Sequence, residues 1–271
     1  MLKIGFMQGR LSPKPEDRIQ AFPKDNWKQE FAAAPRAGFS CIELIYDELY
    51  LEENPLGSAS GRGELRQLAE KHGVALHSIC ADYFMCQPLV AEGPRKGTIE
   101  KARELFSIAK EIGCPLVEFP FVDSTSLLKH KNLGAVHDVM ASLARDAQAL
   151  GITIAVETDL PPLPFRDFLN GLPDNVGANL DLGNSAALGY DVLAECRAYG
   201  HRLLNIHIKD RVLGGTTVPL TEGHTDFPRA FRGLKEAHYK GDFILQTAPS
   251  PDYIGAATRY RDFVAHCIEA L

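Results

Sequence analysis

Short apolar runs recur along the chain, each preceded by an amphipathic stretch that ends in glycine. They read PRAG-FSCIEL, EKHG-VALHSI, KEIG-CPLVEF, QALG-ITIAVE, PDNVG-ANLDL, AYG-HRLLNIHI and HYKG-DFILQ, with the glycines at Gly38, Gly73, Gly113, Gly151, Gly177, Gly200 and Gly241. Glycine just past a helix end takes the left-handed conformation without Cβ strain. The apolar runs that follow read as buried strands. With LKIGFM (Leu2–Met7) in front, eight strands alternate with helical segments. The helical period is clear in TIEKARELFSIAKEIG, where Ile99, Ala102, Leu105, Phe106 and Ala109 share one face and Glu100, Lys101, Glu104 and Lys110 face water. By contrast, PPLPFRDFLNGLPDNV has room only for a short helix.

Alternating strands and helices imply parallel pairing through right-handed crossovers. Eight such units in a chain of 271 residues predict an α/β fold, a single (β/α)8 TIM barrel domain over residues 1–271. The competing architecture, a doubly wound open sheet, needs a Gly-rich first turn for a nucleotide, and no GxGxxG is present. Helix-to-strand connections are little more than the glycine. Strand-to-helix connections are long: QGRLSPKPEDRIQAFPKDN, YDELYLEENPLGSASGRG and ADYFMCQPLVAEGPRKG after the first three strands. Long loops gathered at one face are lids or binding loops, and the C-terminal ends of barrel strands carry the chemistry.

Composition narrows the function class. A net charge of −6 with no Lys/Arg cluster argues against nucleic acid as a partner. No stretch approaches the roughly 20 apolar residues of a membrane helix, and the N-terminus lacks a secretory h-region. Six cysteines without a CxxC pair argue against a zinc ribbon or a disulfide framework, so a reducing cytoplasm is the expected location. An enzyme or binding protein for small molecules is what remains.

Nearly every strand carries a polar residue that an apolar strand should not tolerate: Glu43, His77, Glu118, Glu157, Asp181, His207 and Gln246. Buried carboxylates are costly unless paired or bound to a metal. In a barrel these side chains converge on one ring of space. Glu157 in ITIAVETD, Asp181 in ANLDLGN, His207 in NIHIKD and Gln246 in FILQTA form the strongest subset. Two carboxylates, an imidazole and an amide oxygen from four successive strands suit one divalent metal ion. Mn²⁺, Mg²⁺ or Co²⁺ match this oxygen-rich set best, manganese first, and Zn²⁺ is also admitted.

These residues bring a family into view. Through AVETD, LDLGNSAALGYD, NIHIKD and PLTEGHTDFPRAFRGLKEAHYKGDFILQ, the chain resembles the xylose isomerase-like barrels, the sugar and sugar-phosphate isomerases and epimerases. Within them it is most similar to the 3-epimerases of pentulose and hexulose phosphates. The resemblance implies that Glu157 is both metal ligand and catalytic base, that Asp181 and His207 bind the metal, and that Asn184 contacts the carbohydrate substrate. It also implies that Lys209 lies close to the substrate, the alternative being that Lys209 pairs with Asp210 or a barrel carboxylate. Barrels of this family often pair through their front loops, which admits a homodimer. The family's strand-8 ligand and second base is normally Glu, whereas this chain has Gln246. An amide still offers an oxygen to a metal but has no proton to exchange at neutral pH. Either another acid, with Glu118, Glu222, His77 and a metal-bound water as candidates, serves the opposite face, or the reaction needs one base only. One-base alternatives are aldose–ketose isomerisation and a metal-dependent dehydratase or lyase reaction on a keto sugar. A catalytically degenerate sugar-binding barrel is the non-enzymatic alternative, and the DNA-cleaving branch of the family is disfavoured by the charge.

Around this set stand further candidates. His77 could meet a substrate hydroxyl or be a satisfied core histidine. Glu43 and Glu118 are expected at the mouth, Glu118 as a substrate contact, with one of the two orienting a ligand. Arg10 and Arg211 could meet an anion, although the sequence leaves phosphate undecided. Tyr83 and Phe84 could wall the sugar ring or simply pack a lid. Cys80 and Cys86, without basic neighbours, read as structural.

Overall fold

In a computed structural model, which describes residues 3–14 and 18–269, eight parallel strands close on themselves. They are β1 (Ile4–Met7), β2 (Cys41–Ile45), β3 (Ala75–Cys80), β4 (Leu116–Phe121), β5 (Thr153–Thr158), β6 (Val176–Asp181), β7 (Leu203–Ile208) and β8 (Phe243–Leu245). Leu2, expected in the first strand, lies outside the described residues. Strand order follows chain order, and β1 closes the ring by pairing Phe6 with Leu245 on one side and Ile42 on the other. This is the TIM barrel that the alternating pattern predicts.

Four of the seven glycines do what the pattern asks. Gly38, Gly73, Gly113 and Gly151 have φ of 81°, 65°, 74° and 74°. The other three are not left-handed helix stops, which corrects the reading above. Gly177 is the second residue of β6, where an added Cβ would collide with the Arg202 carbonyl and the Leu204 side chain, so this glycine permits close strand approach.

The outer ring buries the expected faces. In the helix Lys96–Ile112, Ala102, Leu105, Phe106 and Ala109 are buried, and Phe106 meets Phe119 of β4 with ring centroids 6.0 Å apart. The weak segment forms the short helix Pro162–Asn170. Between β6 and β7 stand two short helices, Leu182–Leu188 and Val192–Tyr199. Asp226 caps the helix Phe227–Glu236 by accepting the Arg229 N–H. A small antiparallel pair, Asp210–Arg211 with Thr217–Val218, rises after β7 and was not foreseen. Among the described residues no helix is long and apolar enough to cross a membrane.

Candidate active site

Because side chains alternate along a strand, residues two apart on the same strand point the same way. On β6 and β7 this places Asn179 with Asp181 and Asn205 with His207, all buried inside the barrel. His207 lies at the centre. Its Nε2 is 2.8 Å from Glu43 Oε1 and 3.2 Å from Glu118 Oε2. Its Nδ1 is 3.3 Å from Glu157 Oε2 and 4.0 Å from Asp181 Oδ2. Glu43 is itself fixed from below, accepting from Ser78 Oγ at 2.5 Å and Asn205 Nδ2 at 3.0 Å. Asn179 Nδ2 ties Glu118 Oε1 (3.0 Å), Glu157 Oε2 (2.8 Å) and His207 Nδ1 (3.0 Å) together.

Toward the mouth, Lys209 Nζ donates to Asp181 Oδ2 at 3.1 Å and to Gln246 Oε1 at 2.9 Å. Its stem packs over Gly183, where a Cβ would come within 2.7 Å of Lys209 Cγ. That contact explains the glycine of the LDLGN run. Asp181 Oδ1 is spent on the Asn184 N–H at the start of the following helix (2.8 Å), which leaves Oδ2 facing the site. Asn184 Nδ2 donates to Glu157 Oε1 at 2.5 Å, and Arg211 Nη1 donates to Asn184 Oδ1 at 2.7 Å. Arg211 therefore braces Asn184, and Asn184 aims Glu157. Asp210 does not pair with Lys209; its carboxylate accepts the Gly223 and Thr225 N–H groups and pins that loop.

Four buried carboxylates, Glu43, Glu118, Glu157 and Asp181, surround only two cationic side chains, His207 and Lys209. Burial acts to raise the pKa of Glu157, but His207 and Lys209 outweigh it and hold the group below the usual carboxylate range. Glu118 is pushed well above that range by burial and by its Glu43 and Glu157 neighbours. His207 is raised well above its ordinary value because Glu118 and Glu43 overcome the cost of burying its charge. Asn179 Oδ1 is buried without a hydrogen-bond partner among the described residues, and Glu118 Oε2 has only the His207 contact at 3.2 Å. Excess buried negative charge, an imidazole whose Nε2 faces Glu43 while Nδ1 faces Glu157 and Asp181, and the Gln246 oxygen form a donor set that fits a divalent cation. Glu118, Glu157 and His207 also form a cluster whose ligand atoms lie within 4.8 Å of one another.

Above the cluster opens a cavity of about 390 Å³, a volume typical of small-molecule sites. Glu118, Glu157, Asn184, Lys209, Arg211, Gln246 and Arg10 all line it. Arg10 is buried, and burial lowers its guanidinium to about 10. Its loop is held by Glu30, which accepts the Gly9 and Leu11 N–H groups at 2.9 Å. A larger cavity of about 550 Å³, between residues 88–92 and 121–136, contains none of these side chains.

Several expected positions fall elsewhere. His77 sits at the opposite end of the barrel, between Asn205 Oδ1 (3.3 Å) and Asp242 Oδ2 (3.4 Å), and does not line the cavity. The reason is depth: β3 runs three residues beyond His77, so the mouth is reached only at Cys80 and Asp82. Glu43 lies beneath His207 and not at the mouth. Glu222 is exposed and outside the cavity. Tyr83 packs on Tyr46, and Phe84 packs on Phe119, so both belong to the wall packing. Cys80 is buried, which pushes its thiol well above the usual range, while Cys86 is exposed. The sequence reading missed Asn179, Asn205, Gln20, Asp82 and Glu30. The first two carry a signal, since each lies two residues before a candidate ligand on the same strand face.

The family model of the xylose isomerase-like TIM barrel matches residues 31–262. An L-ribulose-5-phosphate 3-epimerase of Shigella boydii serotype 18 is 26% identical over 261 residues, covering 88% of both chains. A D-psicose 3-epimerase from Clostridium cellulolyticum H10, solved with D-tagatose, superposes with a TM-score of 0.77 at 16% identity, over 98% of this chain and 99% of that one. The IOLI protein, solved with a zinc atom bound, gives a TM-score of 0.75 at 19% identity over 99% of each chain. At these identities the two solved structures speak to the fold.

Proposed function

The chain belongs to the xylose isomerase-like TIM barrel family, and on that premise we propose that it is a cytoplasmic, divalent-metal-dependent epimerase or isomerase of a keto sugar or its phosphate. The observation that carries this reading is the gathering of Glu157, Asp181 and His207, from β5, β6 and β7, beneath a cavity lined by Glu157 and by Gln246 at the end of β8, with Lys209 bridging Asp181 and Gln246. The names of its epimerase relatives support it.

Glu157, Asp181, His207 and Gln246 would hold the ion, with manganese first among the candidates. Bound there, it would supply Lewis-acid stabilisation of the charge that develops on the substrate oxygens. Glu157, ionised and aimed by Asn184 and Asn179, removes the proton from the carbon beside the carbonyl. General-base help of this kind is worth roughly 10²–10⁴-fold. Lys209 contributes a fixed positive charge at the same mouth. Asn184 offers its amide to a substrate hydroxyl, and Glu118 contributes from the cavity wall. Arg10 and Arg211 supply the positive charge that a phosphate would meet.

Gln246 favours a second reading, an aldose–ketose isomerisation in which Glu157 alone moves the proton along one face. Metal analysis of protein purified without chelator, beside His207→Ala, tests the shared premise. About one equivalent of metal in the parent and none in the variant is expected by the one-site reading. A parent that stays metal-free in excess Mn²⁺ would return the barrel to the sugar-binding reading. Product analysis on ketoses and their phosphates then separates epimer from aldose.

A further inference from the structure

Inversion at a carbon beside a carbonyl needs one group to take the proton from one face and another to return it to the opposite face. Gln246 leaves one face without such a group. We propose that Asp82, at the end of β3, is the second acid–base, in the place that a strand-8 carboxylate would otherwise fill. The inference rests on the epimerase reading above.

Asp82 is half-buried and lines the same cavity as Glu157. Its Oδ2 accepts from Gln20 Nε2 at 2.6 Å, and its Oδ1 accepts from Cys80 Sγ at 3.2 Å. Gln20 Oε1 in turn accepts from Gln246 Nε2 at 3.0 Å and Arg10 Nη2 at 3.3 Å. The carboxylate is thus held one side chain away from the end of β8. Burial pushes Asp82 up to about 6, so both its acid and its base forms are available near neutral pH. The other candidates are less well placed. Glu118 is on β4, next to the Glu157 strand, and shares Asn179 with Glu157, so the two carboxylates approach from the same side. Glu222 is exposed, and His77 lies at the far end of the barrel.

In one direction Glu157 takes the proton, and the C–H electron pair moves into the enediolate. The acid form of Asp82 then protonates the opposite face as the carbonyl re-forms. The reverse reaction exchanges the two roles, and no oxidation or further reactant is involved.

The test follows parent and Asp82→Asn in D₂O by NMR, on a ketose or ketose phosphate that the parent converts. In the variant, epimer formation should fall on the order of 10²-fold or more, while deuterium still enters the unconverted substrate through Glu157. Adding Gln246→Glu to Asp82→Asn should return inversion by moving a carboxylate onto strand 8. An Asp82→Asn protein that inverts at the parental rate, or that loses exchange and inversion together, overturns the assignment of Asp82. A parent that exchanges and inverts no ketose overturns the epimerase reading itself, a result distinct from either failure of Asp82.

Discussion

The two ends of the barrel interior are both polar, and they are built differently. At the floor each group has a partner: His77 lies between Asn205 and Asp242, and Asp242 also accepts the Lys3 N–H at 2.8 Å. Toward the mouth Glu43, Glu118, Glu157 and Asp181 crowd around His207 and Lys209, and Asn179 Oδ1 and Arg10 Nε are buried without hydrogen-bond partners among the described residues. A buried polar group that is fully paired stabilises or specifies the fold, whereas one left unpaired asks for something from outside. Burial and polarity alone do not separate structure from function here. Satisfaction does.

The sharpest break in this comparison is Glu157→Gln. It keeps the shape of the mouth but removes the base, so turnover should drop by roughly 10²–10⁴-fold while metal is largely retained. Steady-state kinetics beside metal analysis reads both, and unchanged turnover would take Glu157 out of the base role.

A second prediction applies the same contrast outside the barrel interior. Glu195 Oε1 accepts from Ser185 Oγ and Tyr199 Oη at 2.9 Å, yet Oε2 is buried without a hydrogen-bond partner among the described residues. Burial therefore raises its carboxyl from near 4.5 to about 7. With the folded value above the unfolded one, its stabilising contribution is complete below the lower value and is lost as pH rises through the higher one. The loss amounts to about 3 kcal/mol. Urea unfolding at pH 5 and pH 8 should show Glu195→Gln gaining on the parent at the higher pH. A pH-independent difference between the two proteins would refute the argument.

Smaller effects follow inside the barrel. Glu43→Gln weakens the charge that orients His207 and should lower Mn²⁺ affinity by about 10–100-fold, measured by calorimetry. His77→Ala, at the satisfied floor, should cost about 1–3 kcal/mol of stability and leave turnover close to parental. A large loss of turnover in a folded His77→Ala protein would erase the distinction between floor and mouth.

What could be read from the sequence depended on how local the signal was. The barrel was legible because strand and helix periods repeat and because Gly38, Gly73, Gly113 and Gly151 stop helices by local conformational preference. Gly177 misled because its role is a contact with the strand carrying Leu204, which sequence neighbours do not reveal. Glu157, Asp181, His207 and Gln246 stood out as polar residues in apolar runs. His77 stood out in the same way, but counting from a glycine does not give depth in the barrel. Asp82 and Gln20 carried no such mark. They sit in loops, and Gln20 is 62 positions from Asp82 and 226 from Gln246, so only the fold joins them.

That last separation also bears on how the site comes into being. Gln20 belongs to the connection after β1, and the Gln246 it meets stands just past β8, the two strands that close the ring. Contacts between such distant positions form slowly, because a long loop must be ordered before they reward it. A chain emerging from the ribosome could fold most of its strands into a partial sheet without yet having a complete mouth. Catalytic competence would then arrive with the last strand and report that the whole barrel has closed.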